Sequence, residues 1–240
     1  MLWDQALLAV PVILASAAFL RSTFGFGDAL LAMPLLLFFV PAESASVIVA
    51  AIGCLQGLIM LLQERRAIDL GMSSRLILGA VLGVPLGIFG LVHLPGQWIK
   101  YIISSVLLIY ALQVLLNLKL PRLESTRWGI LAGACAGCLG AAFNTSGPPV
   151  VLYGAMAQWK PEQFRVTLQS FFFPLSLMIV AGHLVSGLWT TDNITLIALA
   201  VPGLLAGIGL GTLCRGHIPA ESFKRALCLV LIVLAVLLAW

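Results

Sequence analysis

Charge is what this chain has least of. Only 9% of its 240 residues are Asp, Glu, Lys or Arg, whereas a soluble domain carries about a quarter to keep its surface in water. Hydrophobic residues make up 61% and the mean hydropathy is +1.11. So few charges cannot cover a globule of this size, which excludes a soluble protein and leaves a surface facing mostly lipid. There is also no polar stretch long enough for a soluble domain or linker, so residues 1–240 read as one transmembrane domain. A basic leader is missing too: the opening MLWDQ has no positive n-region, which argues against a cleaved signal peptide. A disulfide framework is excluded by five cysteines scattered through apolar segments. Cys135 and Cys138 have redox-motif spacing but stand alone in an Ala/Gly-rich span, where small packing residues are expected. Net charge is +4 with a pI near 9.0, yet the basic residues sit in short loops between apolar runs. Topology explains them, and nucleic acid is not a partner.

What the chain does have is apolar runs in two matching sets. The first lies near 5–22, 29–40, 44–62, 76–92 and 98–118; the second near 128–143, 149–159, 166–187, 194–213 and 223–240. A crossing takes about 20 residues, so 29–40 and 149–159 are too short to span. Each follows a Gly/Pro/polar interruption, FGFGD in one half and FNTSGPP in the other. Phe26-Gly27 matches Ser146-Gly147 and Pro41 matches Pro161 at an offset of 120; Gly83/Gly207, Gly87/Gly211, His93/His217, Pro95/Pro219 and Lys100/Lys224 match at 124. This register predicts an internal duplication, with repeats of about 1–120 and 121–240.

Loop charge orients the repeats. Residues 63–75 carry Arg65, Arg66 and Arg75, while the corresponding 186–193 carry no Lys or Arg. At the next connection the asymmetry reverses: 93–97 has none, and 215–225 carries Arg215, Lys224 and Arg225. Since cytoplasmic loops collect Lys and Arg, equivalent loops lie on opposite sides. The expected fold is therefore an all-α polytopic membrane protein with two inverted-topology repeats. Each has a broken helix or re-entrant hairpin plus three further transmembrane helices. Lys119, Arg122 and Arg127 make the central connector cytoplasmic, which puts both termini on the periplasmic side of a bacterial inner membrane.

The interruptions are the candidate site. Irregular backbone survives at membrane depth only where it is buried in protein or lines a wet cavity, and inverted-repeat carriers place such breaks where substrate binds. A helix starting at each break offers N–H groups and partial positive charge to an anion. Asn144, Thr145 and Ser146 add side-chain donors there. Gly25, Gly27 and Gly147 let a ligand approach the backbone, with Phe26 between the first two. Pro148 suits the opening of a helix, and Ser146 could simply cap it. Asp28 could cap 29–40, carry a proton as a membrane-buried carboxylate, or do both. Arg21, one turn before the first break, could attract an anion, pair with Asp28 or snorkel to the interface. Arg165 reads either as a cytoplasmic-edge charge or as a substrate contact, with Gln169 one turn beyond it facing the same cavity. Gln56 and Gln113 suit hydrogen bonding between helices, and His183 suits packing. No metal or cofactor is expected.

FGFGDALLAMPLL (24–36) followed by GAAFNTSGPPVVLYGAMAQWKPEQFRVTLQSFFF (140–173) resembles the TauE/SafE family of sulfite and organosulfonate exporters, over essentially the whole chain. The resemblance implies a carrier of small, often sulfur-containing anions across the inner membrane. It maps the family's first motif onto Gly25, Gly27 and Pro34, and the second onto Ser146, Gly147, Pro148, Pro149, Phe164 and Arg165. Many members have a third glycine where this chain has Asp28. A carboxylate there repels a bare anion unless it is protonated.

The function expected is a secondary transporter, not an enzyme. It would export a small anion such as a sulfite, organosulfonate or carboxylate, coupled to protons through Asp28. Substrate would bind between the breaks near the midplane, with rocking of the halves alternating access. A homodimer is compatible with this reading. The competing classes are a passive anion channel and an intramembrane hydrolase using Ser146 with His183, although Pro148 and Pro149 remove two N–H groups that an oxyanion hole would need.

Overall fold

A computed structural model describes residues 2–63, 70–116, 121–123, 125, 127–215, 217 and 220–239. Among the described residues the regular structure is entirely helical, in ten helices: α1 (Leu2–Phe24), α2 (Asp28–Leu36), α3 (Ala42–Gln63), α4 (Leu70–His93), α5 (Gly96–Leu115), α6 (Trp128–Phe143), α7 (Gly147–Met156), α8 (Pro161–Val185), α9 (Thr191–Cys214) and α10 (Ala220–Ala239). In hydrocarbon a helix satisfies its own backbone. Six of these helices (α1, α3, α4, α5, α8 and α9) are long and apolar enough to cross a membrane; α6 and the apolar part of α10 are shorter. The outward faces carry Leu8, Val12, Leu82, Leu86, Phe89, Ile109, Val185 and Leu213, all well exposed, as expected of a lipid-facing belt. The chain is a polytopic, multi-pass membrane protein.

The two short helices are re-entrant. At 9 and 10 residues and 1.5 Å per residue, each covers roughly half the hydrocarbon thickness. Helix α2 folds back along α1, since Asp28 and Ala32 share a small cavity wall with Leu14, Ala17 and Ala18. Helix α7 folds back along α6: a Cβ on Gly140 would sit 3.0 Å from that of Ser146, while Tyr153 reaches Gly129 at the start of α6. The choice left open between a broken helix and a hairpin resolves to a hairpin in each half.

Glycine seams assemble the long helices, and they join helices from opposite halves. A methyl on Gly79, Gly83 or Gly87 of α4 would run into the backbone of Ile130, Ala134 or Cys138 of α6. One on Gly207 or Gly211 of α9 would strike Ala15 or Phe19 of α1. Both series ascend together, so α4 runs parallel to α6 and α1 to α9. Lipid gives helices no hydrophobic reason to associate, and small residues allow the close backbone approach that replaces it. Helices α3 and α8, which correspond in the two halves, run antiparallel: Gly57 lies beside Phe173 and Gln169 donates to the Met60 sulfur at 3.7 Å. That is the geometry of inverted topology. It also means that the packing units are not the two halves of the sequence. Cys138 sits in the α4–α6 seam and all five cysteines are free.

At the breaks the structural register is one residue from the sequence match. Helix α1 ends at Phe24 and α6 at Phe143, and each is followed by a left-handed residue, Gly25 (φ 89°) and Asn144 (φ 53°). Correspondence there runs at 119, pairing Arg21 with Gly140. Of the residues used to match the repeats and orient the loops, Arg65, Arg66, Lys119 and Pro219 lie outside the described residues, as does the side chain of Lys224. Arg75, at the start of α4, lies against Gly129 at the start of α6, and Arg215 reaches the C-terminal end of α1. Arg75 thus marks the start of α6 and Arg215 the level of the first break.

The seams predict a position-specific cost. Gly83→Leu and Gly207→Leu should each lower stability by about 1–3 kcal/mol through overpacking, seen as earlier thermal unfolding in detergent. Gly209→Leu, where the added side chain meets open space, should not.

Candidate functional site

Both breaks open onto one cavity. It offers ≈ 60 Å³ to the centre of a water-sized sphere, and its walls include Phe26, Gly27 and Asp28 from the first break and Asn144, Ser146 and Gly147 from the second. That space holds a few waters or one small ion. Arg21 also lines it.

Arg21 decides the chemistry. It projects from the last turn of α1 and is 5% exposed, so it does not snorkel to the interface. Its Nη1 donates to the Asp28 carboxylate at 3.0 Å and to the Gly53 carbonyl at 3.3 Å. The Phe172 ring lies over the guanidinium, 5.8 Å to its centroid. On α3, Gly53 and Gly57 leave the room: a Cβ at either would stand 3.7 or 3.5 Å from a guanidinium nitrogen. Nε and Nη2 are buried and have no acceptor. Three of the five N–H groups of a guanidinium thus point at nothing, in a setting where unpaired donors are costly.

Asp28 occupies the first helical position of α2, not its cap. The cap is Gly27, left-handed at φ 99° and making no side-chain capping bond. The carboxylate turns to Arg21 instead, which brings the local charge near zero. The N–H groups of the first turn of α2 have no intrahelical acceptor, and its residues Asp28, Ala29 and Leu30 line the cavity. The opening of α7 is poorer in donors, because Pro148 and Pro149 follow Gly147 directly. Ser146 precedes α7 without forming a capping bond.

The other sequence-derived residues are distributed as follows. Asn144 lines the cavity, but its amide nitrogen donates to the backbone oxygen and hydroxyl of Ser46 on α3, at 2.9 and 3.0 Å. Thr145 is buried behind the break, with its hydroxyl 3.4 Å from the Leu139 carbonyl. Gly25 forms the turn and donates its N–H to the Arg21 carbonyl at 2.7 Å. Pro148 stands in the first turn of α7, outside the cavity wall. Gln169 is buried between α8 and α3, on Met60. Arg165 belongs to the first turns of α8 and its side chain lies outside the described residues. Gln56 joins α3 to α1, donating to the Ala18 carbonyl and the Ser22 hydroxyl at 2.9 and 3.2 Å. His183 is fully buried with Nε2 3.0 Å from the Ala141 carbonyl, so this nitrogen is committed to backbone and not to Ser146.

Sequence reasoning missed the walls contributed by α3 and α8: Val49, Ala50 and Gly53, then Phe172, Leu175, Ser176 and Ile179. Two signals were present, the Gly53/Gly57 spacing of one helical turn on α3 and the run Phe171-Phe172-Phe173.

The ion pair predicts a compensating double substitution. Arg21→Met leaves Asp28 without its partner and should cost roughly 3 kcal/mol, whereas Arg21→Met with Asp28→Leu should recover most of it; thermal unfolding in detergent measures both. Gly27→Ala should cost about 1–2 kcal/mol from its left-handed backbone alone.

Comparison with curated proteins and with solved structures returns no match. A family model described as Sulfite exporter TauE/SafE matches residues 9–238, which takes in α2 to α9 whole, most of α1 and α10, and both breaks. The chain belongs to the TauE/SafE sulfite exporter family and is a membrane transporter of that type.

Proposed function

We propose that this protein is a secondary transporter that exports a small anion, a sulfite, an organosulfonate or a related sulfur or carboxylate compound, bound between the two breaks. One observation carries the reading: Arg21 is buried in the shared cavity with Nε and Nη2 unpaired. Those two nitrogens form one edge of the guanidinium, the geometry that takes two oxygens of a single oxyanion. The free N–H groups of α2 supply a second ligand surface, with Gly27 and Gly147 admitting the ligand to the backbone. Asn144 and Ser146 close the far wall, with Thr145 buried behind them. Gln169 and Arg165 lie along α8 between its N-terminal end and the cavity-lining Phe172.

Asp28 supplies the coupling. An anion drawn to Arg21 arrives beside the carboxylate that already neutralises that cation. A proton taken up by Asp28 removes the repulsion, so that anion and proton cross together. The small cavity, covered by Phe172, supports a carrier over a continuous pore. Access alternates when the units joined by the glycine seams move against each other. The Lys and Arg of the 63–75, 119–127 and 215–225 connections support a bacterial inner-membrane location with those connections cytoplasmic and both termini periplasmic. The chain could act as a homodimer.

Flux of labelled sulfite and short organosulfonates in proteoliposomes tests this. Arg21→Gln should weaken apparent substrate affinity about 10- to 100-fold, as expected for loss of charged hydrogen bonds. A pH gradient should accelerate wild-type flux but not that of Asp28→Asn. Unaltered affinity in Arg21→Gln would remove the site, and unaltered coupling in Asp28→Asn would remove the proton. Reporter fusions should place the N-terminus, the C-terminus and the 93–97 loop outside and the 119–127 connector inside.

A further inference from the structure

Each broken helix ends on a carbonyl that its own backbone cannot satisfy. In α1 it is Ser22, because Gly25 N–H bonds to Arg21. In α6 it is Ala141, because Asn144 N–H bonds to Gly140 and Thr145 N–H to Leu139. These are corresponding residues, each third from the end of its helix. Both carbonyls are taken by a nitrogen-bearing side chain from another helix. Arg215, at the C-terminal end of α9, donates to the Ser22 carbonyl through Nε and Nη2 at 3.2 and 3.1 Å. His183 on α8 reaches the Ala141 carbonyl through Nε2 at 3.0 Å. A carbonyl only accepts, so Nε2 carries the hydrogen; Nδ1 is buried with no partner.

We infer that Arg215 and His183 are equivalent positioning residues, each holding the end of one broken helix so that the break presents a fixed wall to the cavity. The inference rests on the reading that the breaks frame the substrate site. The two residues are unrelated in type and come from helices that do not correspond, so sequence duplication does not account for them. The need they meet is shared, since an unsatisfied carbonyl at membrane depth is costly.

The apolar packing places each clamp inside its own unit. One core is built chiefly from α1, α2, α3, α5, α9 and α10, the other chiefly from α4, α6, α7 and α8. The Arg215 bond lies within the first and the His183 bond within the second. The cavity is bounded by both, through Phe26, Leu30 and Val49 on one side and Leu175, Ile179 and Ser146 on the other. Each clamp thus joins two helices of one unit, and the last residues of α6, Ala142 and Phe143, reach across into the first core.

The test reads the breaks directly, without substrate. In the full chain with its five cysteines replaced by alanine or serine, a single cysteine is installed as Phe26→Cys or Ser146→Cys, both positions half-buried. Its modification by a water-soluble thiol reagent is then timed. His183→Leu should speed labelling at 146 by roughly tenfold or more, the effect of losing one buried hydrogen bond, and leave 26 unchanged. Arg215→Met should do the reverse. His183→Gln and Arg215→Lys, which can still donate to a carbonyl, should restore the slow rates. Acceleration at both positions by either variant indicates general loosening and overturns the inference, as does acceleration at neither. Failure of anion transport alters none of these rates, so the two readings fail separately.

Discussion

A helix that stops inside a membrane exposes carbonyls and N–H groups to a medium that cannot hydrogen-bond, and the centre of this protein is organised around that constraint. The chain stops a helix at Phe24 and again at Phe143. A left-handed residue turns it each time, and a short helix returns alongside. One carbonyl left over at each end, that of Ser22 and that of Ala141, is covered by Arg215 and His183 respectively. The residues that carry the left-over N–H groups at the start of α2, Asp28 to Leu30, line the cavity. One carbonyl at each break is thus satisfied by protein, while the buried Arg21 keeps unpaired donors beside the same cavity.

The cation in this arrangement comes from the first break. Arg21 corresponds to Gly140, and among the described side chains that line the cavity the first break supplies both the guanidinium and the carboxylate that balances it. The second break contributes shape instead: Gly140 lets Ser146 approach, and Asn144 is spent on Ser46 across to α3. A duplicated scaffold has become a site with one charged wall and one neutral wall. Asp28, which looked hostile to an anion as an isolated residue, is the counter-ion that allows Arg21 to lie at 5% exposure. Burying either alone would cost several kcal/mol.

Much of the fold was legible because lipid simplifies the code. A scarcity of charge, apolar runs of crossing length and two short segments behind Gly/Pro interruptions require helices of those lengths, and helices are found there. The matched glycines 83/207 and 87/211 marked real seams, although sequence could not say which helices they joined. At the site, the residues flanking the breaks were visible as anomalies in apolar surroundings. Gly53, Ser46, Phe172 and Ser176 were not, because each is ordinary in a transmembrane helix and matters only through its neighbour. His183 looked like a packed histidine until the Ala141 carbonyl stood opposite it.

By itself, then, the sequence determined that the chain spans a membrane, where its helices break and that its two sets of segments correspond. These follow from hydropathy, backbone chemistry and spacing, which are local properties. Only the tertiary structure decided that α1 pairs with α9 and α4 with α6, that Arg21 meets Asp28, and that two breaks far apart in the chain share one cavity. Those outcomes depend on which surfaces can approach closely enough to touch. A glycine seam or an ion pair exists only when residues distant in sequence come within a few ångströms of each other.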